Sequence, residues 1–243
     1  MRKIPAVLGL LVALLVGLPV ALAVPAAAAS EPAPRAPDTL CAGSIGATTV
    51  PGKLVVPANA TCTLSGTRIL GSVEVGINST LRATRITVAG DALATQSRLV
   101  SITTSSHIEG HTKLSKGITA TVSGSSAFGG VELSENSGRA TLTSVTVNNG
   151  GAFVTKNRGG ATVQSNRVNA NLSVSENAGG ASVRSNIVGD NLGVNKNTGG
   201  TAVVSNRAND NIDCTDNAPA PTGSGNVAGA DGGGSKTGQC ANL

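Results

Sequence analysis

Few side chains in this 243-residue chain have the types and spacing that chemistry needs. Asp190 and Asp210 stand twenty positions apart, with Asp213 and Asp216 close behind. Brought within roughly 5 Å of each other, the first two would have the separation of a retaining carboxylate pair, one group attacking a glycosidic bond while the other protonates it. The same acids offer the oxygen ligands that calcium prefers, although Asp210-Asn211-Ile212-Asp213 does not follow an EF-hand loop. His107 and His111, in HIEGH, are spaced like two ligands on one helix face, but the order is not HExxH and the segment reads as strand and turn. Ser125 lies in VSGSSAFGG rather than in a GxSxG elbow. No glycine-rich phosphate loop precedes a helix.

What would position these groups is a repeat. Gly151 to Ala170 reads GAFVTKNRGGATVQSNRVNA, Asn171 to Asp190 reads NLSVSENAGGASVRSNIVGD, and Asn191 to Asp210 reads NLGVNKNTGGTAVVSNRAND, with NIDCTDN opening a fourth line. A self-similar period of this length marks a solenoid, in which each line is one turn and equivalent residues stack at the strand spacing of roughly 4.8 Å. Asp190 and Asp210 would then be vertical neighbours. Short alternating runs such as KLVV, SVEV, RITV and ITATV carry the pattern upstream between Gly, Asn, Ser and Asp, so strands extend from about Val50 to Asn217. Outside the first thirty residues nothing has a helical period.

Three columns of the repeat have physical readings. Lys156, Glu176, Lys196 and Asp216 alternate in sign, and steps of nineteen to twenty-one residues continue the column to Glu135 and Lys116. Stacked opposite charges attract, and they penalise a slipped register. Asn157, Asn177, Asn197 and Asn217 form a second column, Asn166, Asn186 and Asn206 a third. A primary amide donates and accepts, so stacked Asn residues can bond to one another and to the turn backbone. The pairs Gly159-Gly160, Gly179-Gly180 and Gly199-Gly200 fall at one corner of each turn, where positive φ is easiest.

Composition narrows the class of protein. There is no Trp or Tyr and there are only two Phe, Phe128 and Phe153, so the interior must be aliphatic, as in a narrow coil. The absence of a G-X-Y period excludes collagen. Arg2 and Lys3, an apolar run from Ile4 to Val24, and PAAAAS form the three parts of a secretory signal, giving an expected signal peptide over residues 1–29. The rival reading is an uncleaved membrane anchor, since the run is near spanning length. Cleavage would remove Arg2 and Lys3, leaving 16 of the 18 basic residues against 13 acidic ones, a net charge of +3. That mild excess, without a basic stripe or stacking aromatics, argues against nucleic acid.

Residues 30–40 read as a mobile Pro-rich arm and residues 218–243 as a low-complexity, flexible tail that a disulfide pins back as a cover for the exposed strand edges of the coil's end. In an exported chain four cysteines read as disulfides with three possible pairings. Cys41 with Cys62 and Cys214 with Cys240 are chosen because each pair closes one end, contributing roughly 3 kcal/mol apiece. Zinc would need a CxxC or a nearby His, and neither is present.

The features NLSVSEN, the Ser-Asn steps at Ser165-Asn166, Ser185-Asn186 and Ser205-Asn206, and the closing CTDNAPAPTGSGN with GQC resemble the repeats of right-handed parallel β-helix proteins, in particular a group of secreted, uncharacterised bacterial ones. The resemblance spans about Val50 to Leu243 and implies the handedness. It also brings in the polysaccharide-cleaving enzymes that use this fold, with Asp190 and Asp210 as the only candidate pair. The resulting expectation is an all-β, single-stranded right-handed parallel β-helix over 41–217, with about seven or eight turns and roughly 35–40 Å long. Its expected role is that of a secreted structural or adhesive module, with no cofactor, facing a wall polysaccharide or a surface protein. A lyase or hydrolase and a calcium-dependent binder stand as alternatives. Ice binding would want uniform Thr ranks, and the column Thr162, Ser182, Ala202 is mixed.

Overall fold

In the computed structural model, which describes residues 36–243, the chain is an all-β parallel solenoid of about ten turns. The expected signal peptide lies outside the described residues. Three parallel sheets run along the coil: a wide one of 11 strands, ending in Thr39–Leu40 and Lys236–Gly238, and two of nine strands each. At about 4.8 Å per turn the coil is roughly 48 Å long. This exceeds the seven or eight turns read from the sequence, because the first and last coils lack the lettering of the regular ones. Of the arm expected to be mobile, Thr39–Leu40 already pairs with Leu54 and Val55.

One turn shows how the sequence makes the shape. Leu172–Ser175 lies in the wide sheet with Leu172 and Val174 inward, Ala181–Arg184 in the second sheet with Ala181 and Val183 inward, and Ile187–Val188 in the third. Period-two alternation buries one aliphatic row per sheet and leaves Ser and Thr outside. Glu176 and Ser185 stand between the strands with φ of 57° and 54°, and each is followed by a buried Asn. A left-handed residue breaks the alternation, bends the chain, and turns the next side chain inward. Sixteen non-glycine residues adopt positive φ, most of them in these two corner columns. Each is unfavourable by about 1–2 kcal/mol, so something must hold the corners.

The buried Asn columns hold them. Asn177 donates from Nδ2 to the Val154 carbonyl at 2.9 Å and to Asn197 Oδ1 at 2.9 Å. Its Oδ1 accepts the Asn157 backbone N–H at 3.1 Å and the Asn157 amide at 2.9 Å. The same pattern runs from Asn136 through Asn157, Asn177 and Asn197 to Asn217, and in the second corner from Asn166 through Asn186 to Asn206. Every amide hydrogen and oxygen is used, which is what makes a polar column tolerable inside a core.

Register follows the repeat. Leu114, Leu133, Val154, Val174, Val194 and Cys214 pair in sequence up the wide sheet. In the Gly pairs the second member takes positive φ, 87° at Gly160 and 82° at Gly180. The first member is needed for close approach, since a Cβ on Gly159 would sit 2.4 Å from the Gly138 carbonyl carbon.

Both ends are closed. Cys41 is bonded to Cys62 and Cys214 to Cys240. The tail continues the coil past Asn217: Thr222 and Val227 bridge to Ala202 and Arg207, and Lys236–Gly238 pairs with Ile212–Cys214. Asn226 accepts from Asn206 at 2.9 Å and so ends one ladder. Gln239 Oε1 accepts from the backbone and side chain of Asn217, at 2.9 and 3.0 Å, and so ends the other. Over these residues the pinned tail lies across the end of the coil as a cap.

Candidate binding face

The residues singled out for chemistry are separated by the fold. Asp210 does lie one turn from Asp190, its N–H donating to the Asp190 carbonyl at 3.1 Å. Both stand at the outer corner between the third and wide sheets, and among the described residues neither carboxylate accepts a hydrogen bond or forms an ion pair. Asp213 is elsewhere, accepting from the Thr237 hydroxyl at 2.8 Å, and Asp216 stands exposed at a left-handed corner. Among the described residues no three His, Cys, Asp or Glu side chains converge as a metal site. His107 lies between Ser126, at 2.7 Å, and Glu109, at 2.8 Å. His111 accepts the Gly130 N–H on Nδ1 at 3.2 Å, so its neutral ring carries the proton on Nε2. Ser125 donates to the Ser123 carbonyl at 2.8 Å, as a turn residue does.

The charge column is placed as expected, at the first left-handed corner: Lys116, Glu135, Lys156, Glu176, Lys196 and Asp216 have φ between 54° and 59°. The attraction expected between successive members is not realised as contact. The ion pairs among the described residues are Lys53 with Asp38 and Glu74 and Lys113 with Glu132, and none of these, nor the hydrogen bond between His107 and Glu109, is in this column. A corner points its side chains radially outward, where water screens them, while the Asn beneath sets the register.

That leaves charged side chains free to line something, and on one stretch they do. A groove of about 450 Å³ runs along this corner over five turns, from Asn78 to Arg158. One bank is the corner column, Gln96, Lys116, Glu135 and Lys156; the other, two residues further on, carries Arg98, Ile118, Ser137 and Arg158. Four cations thus face one carboxylate. Among the described residues Arg98, Lys116, Lys156 and Arg158 make no ion pair and no side-chain hydrogen bond. Beneath the groove the buried column changes, Asn157 and Asn136 giving way to Gly117 and Ser97. The Gly117 N–H donates to Asn136 Oδ1 at 3.0 Å, which anchors the floor.

At the opposite edge of the same strands lies a second cavity of about 240 Å³, with His111, Gly130, Gly151, Lys113, Glu132 and Phe153 in its wall. Lys113 and Glu132 pair at 2.9 Å, and Ser134 donates to Glu132 at 2.7 Å. Partial burial works to raise the Glu132 pKa, but the Ser134 hydroxyl and the Lys113 ammonium outweigh it and hold the group below the ordinary glutamate range. A Cβ on Gly151 would meet the Phe153 ring at 3.0 Å, so the ring lies over a glycine floor. Both aromatic residues of the chain are spent on the surface, Phe128 at 48% exposure and Phe153 at 45%. Sequence reasoning passed over the groove and this aromatic wall.

Comparison with known protein families, curated proteins and solved structures finds no match to this chain. What the residues define is a disulfide-closed parallel β-solenoid. Among the described residues no helix is long and apolar enough to cross a membrane.

Proposed function

We propose that the protein is an exported, non-catalytic structural or adhesive module that presents a repetitive polar face, including the corner between its wide and second sheets, to a wall polymer or a surface protein. The observation that carries this reading is the groove: four cations without partners, two of which, Lys156 and Arg158, flank Asn157 of the buried amide ladder. A preorganised backbone loses little entropy on binding, and that favours an adhesive surface. The leader and the two disulfides support export, since disulfides persist in oxidising compartments. Co-sedimentation of the purified protein with native cell-wall fractions tests the reading. Binding that saturates is expected, and its absence across wall and surface-protein fractions would remove the proposal. The stacking of Asp190 and Asp210 keeps a glycan-cleaving reading testable in the same samples, where release of reducing ends or unsaturated products, lost in Asp190→Asn with Asp210→Asn, would replace adhesion by catalysis.

A further inference from the structure

We infer that the groove over Arg98, Lys116, Glu135, Lys156 and Arg158 is a binding site for an extended polyol chain that carries oxyanions at intervals, with hydroxyl groups between them. This deepens the adhesive reading by naming the ligand chemistry, and it rests on that reading only for where the ligand is met.

Three observations carry the inference. First, the cations are unspent. Lys53 and Lys113 are engaged by carboxylates, whereas the four in the groove, like Arg167 and Lys196 outside it, are not; here they are gathered along one depression, and Arg side chains present a planar fork that matches carboxylate and phosphate oxygens. Second, their spacing is fixed by the coil. Lys116 and Lys156 are two turns apart, about 10 Å, and Arg98 and Arg158 three turns apart, about 14 Å. A chain lying along the axis therefore meets positive charge at intervals rather than continuously. Third, Glu135 stands on the corner between Lys116 and Lys156. A carboxylate there repels a uniformly charged strand such as polyphosphate and accepts hydrogen bonds from hydroxyl groups lying between two anionic ones. Glu135 is thus the specificity-determining residue, and the two banks are the affinity. Phosphodiester-linked polyols and uronate polysaccharides share this chemistry.

The test is isothermal titration of the full chain with four soluble probes: a glycerol-phosphate oligomer, an oligogalacturonate, a neutral dextran oligomer and inorganic polyphosphate. The expected result is binding of one or both of the first two, weakened by salt, with none of dextran. Arg98→Gln, Lys116→Gln, Lys156→Gln and Arg158→Gln combined should weaken it about tenfold or more. Arg167→Gln with Arg207→Gln, exposed on the third sheet, should leave it unchanged. Glu135→Gln should raise polyphosphate affinity relative to the polyol probes. All these side chains are exposed, so a matching melting temperature is expected and verifies folding. Equal loss in the off-groove pair, a preference for dextran, or no binding of either polyol polyanion overturns the inference. Wall binding without groove-dependent binding of either polyol probe overturns it while leaving the adhesive reading intact. Groove-dependent binding of a soluble probe without wall binding sustains it while the adhesive reading falls.

Discussion

Replacing Asn177 by Ala tests what holds the coil together. The side chain is fully buried and makes four hydrogen bonds, two from Nδ2 to Val154 and Asn197 and two to Oδ1 from Asn157. Truncation leaves the Asn157 backbone N–H and one Asn157 amide hydrogen without partners, removes one bond from the Val154 carbonyl, and opens a space for one water at most, which cannot restore them all. Each orphaned buried group costs about 1–3 kcal/mol. Allowing for relaxation, the variant should lose about 3–6 kcal/mol. The control is Asn191, which makes a similar ladder with Asn171 and Asn211 at an open corner, at 3.2 and 3.0 Å. Water can replace those bonds, so Asn191→Ala should lose no more than about 1 kcal/mol. Urea unfolding followed by circular dichroism reads both, and a lowered midpoint with unchanged slope is expected. If Asn177→Ala costs no more than Asn191→Ala, the buried amides do not lock the corners, and the account of the left-handed residues fails with them.

Three further outcomes follow from other parts of the molecule. Changing Cys214 and Cys240 together to Ser opens a loop of 26 residues and should lower stability by about 3–4 kcal/mol in the chain-entropy model, with hydrogen exchange rising first over the terminal turns; an unchanged denaturation midpoint would count against the cap. Glu176→Lys should cost under about 1 kcal/mol, and the loss should fade in high salt, because the column is exposed and unpaired; a salt-independent loss of several kcal/mol would mean that charge contact sets the register after all. The Glu132 carboxyl is held below its ordinary range, so its contribution is present above the unfolded pKa and disappears as pH falls through the folded one. Lys113→Met should therefore flatten the fall in melting temperature on the acid side of that range, by an amount worth under about 1 kcal/mol.

The regular turns were legible in the sequence because every column there keeps one job: Val174 over Val154, Asn177 over Asn157, Glu176 at the bend. Upstream, the jobs persist while the letters change. The inward corner position passes from Asn136 to Gly117 to Ser97, so spelling alone hides the turns while the alternating burial keeps them. That the tail covers the coil's end was legible, but that it continues the ladder was hidden for a different reason. Gly225-Asn226 falls twenty residues after Ser205-Asn206 and continues its ladder, but Gly, Ala and Pro around it give the segment the composition of a linker. Gln239 had no signal in spacing at all, since only the returning chain brings it onto Asn217. The groove could not be read because Arg98 and Arg158 are sixty residues apart in sequence and come to line one groove only once the coil is wound. The disulfide pairing could be read, because each pair had one end of the coil to close.

Each turn bonds only to the one before and the one after, with its two amide ladders in phase every twenty residues. Excising Asn171 to Asp190 would therefore splice Ala170 to Asn191 with all columns still in step, keeping the groove, the aromatic wall and both closures on a shorter rod. Length and recognition are thus separable quantities in this molecule, and a lineage can alter its reach in whole coils without rewriting what it grips.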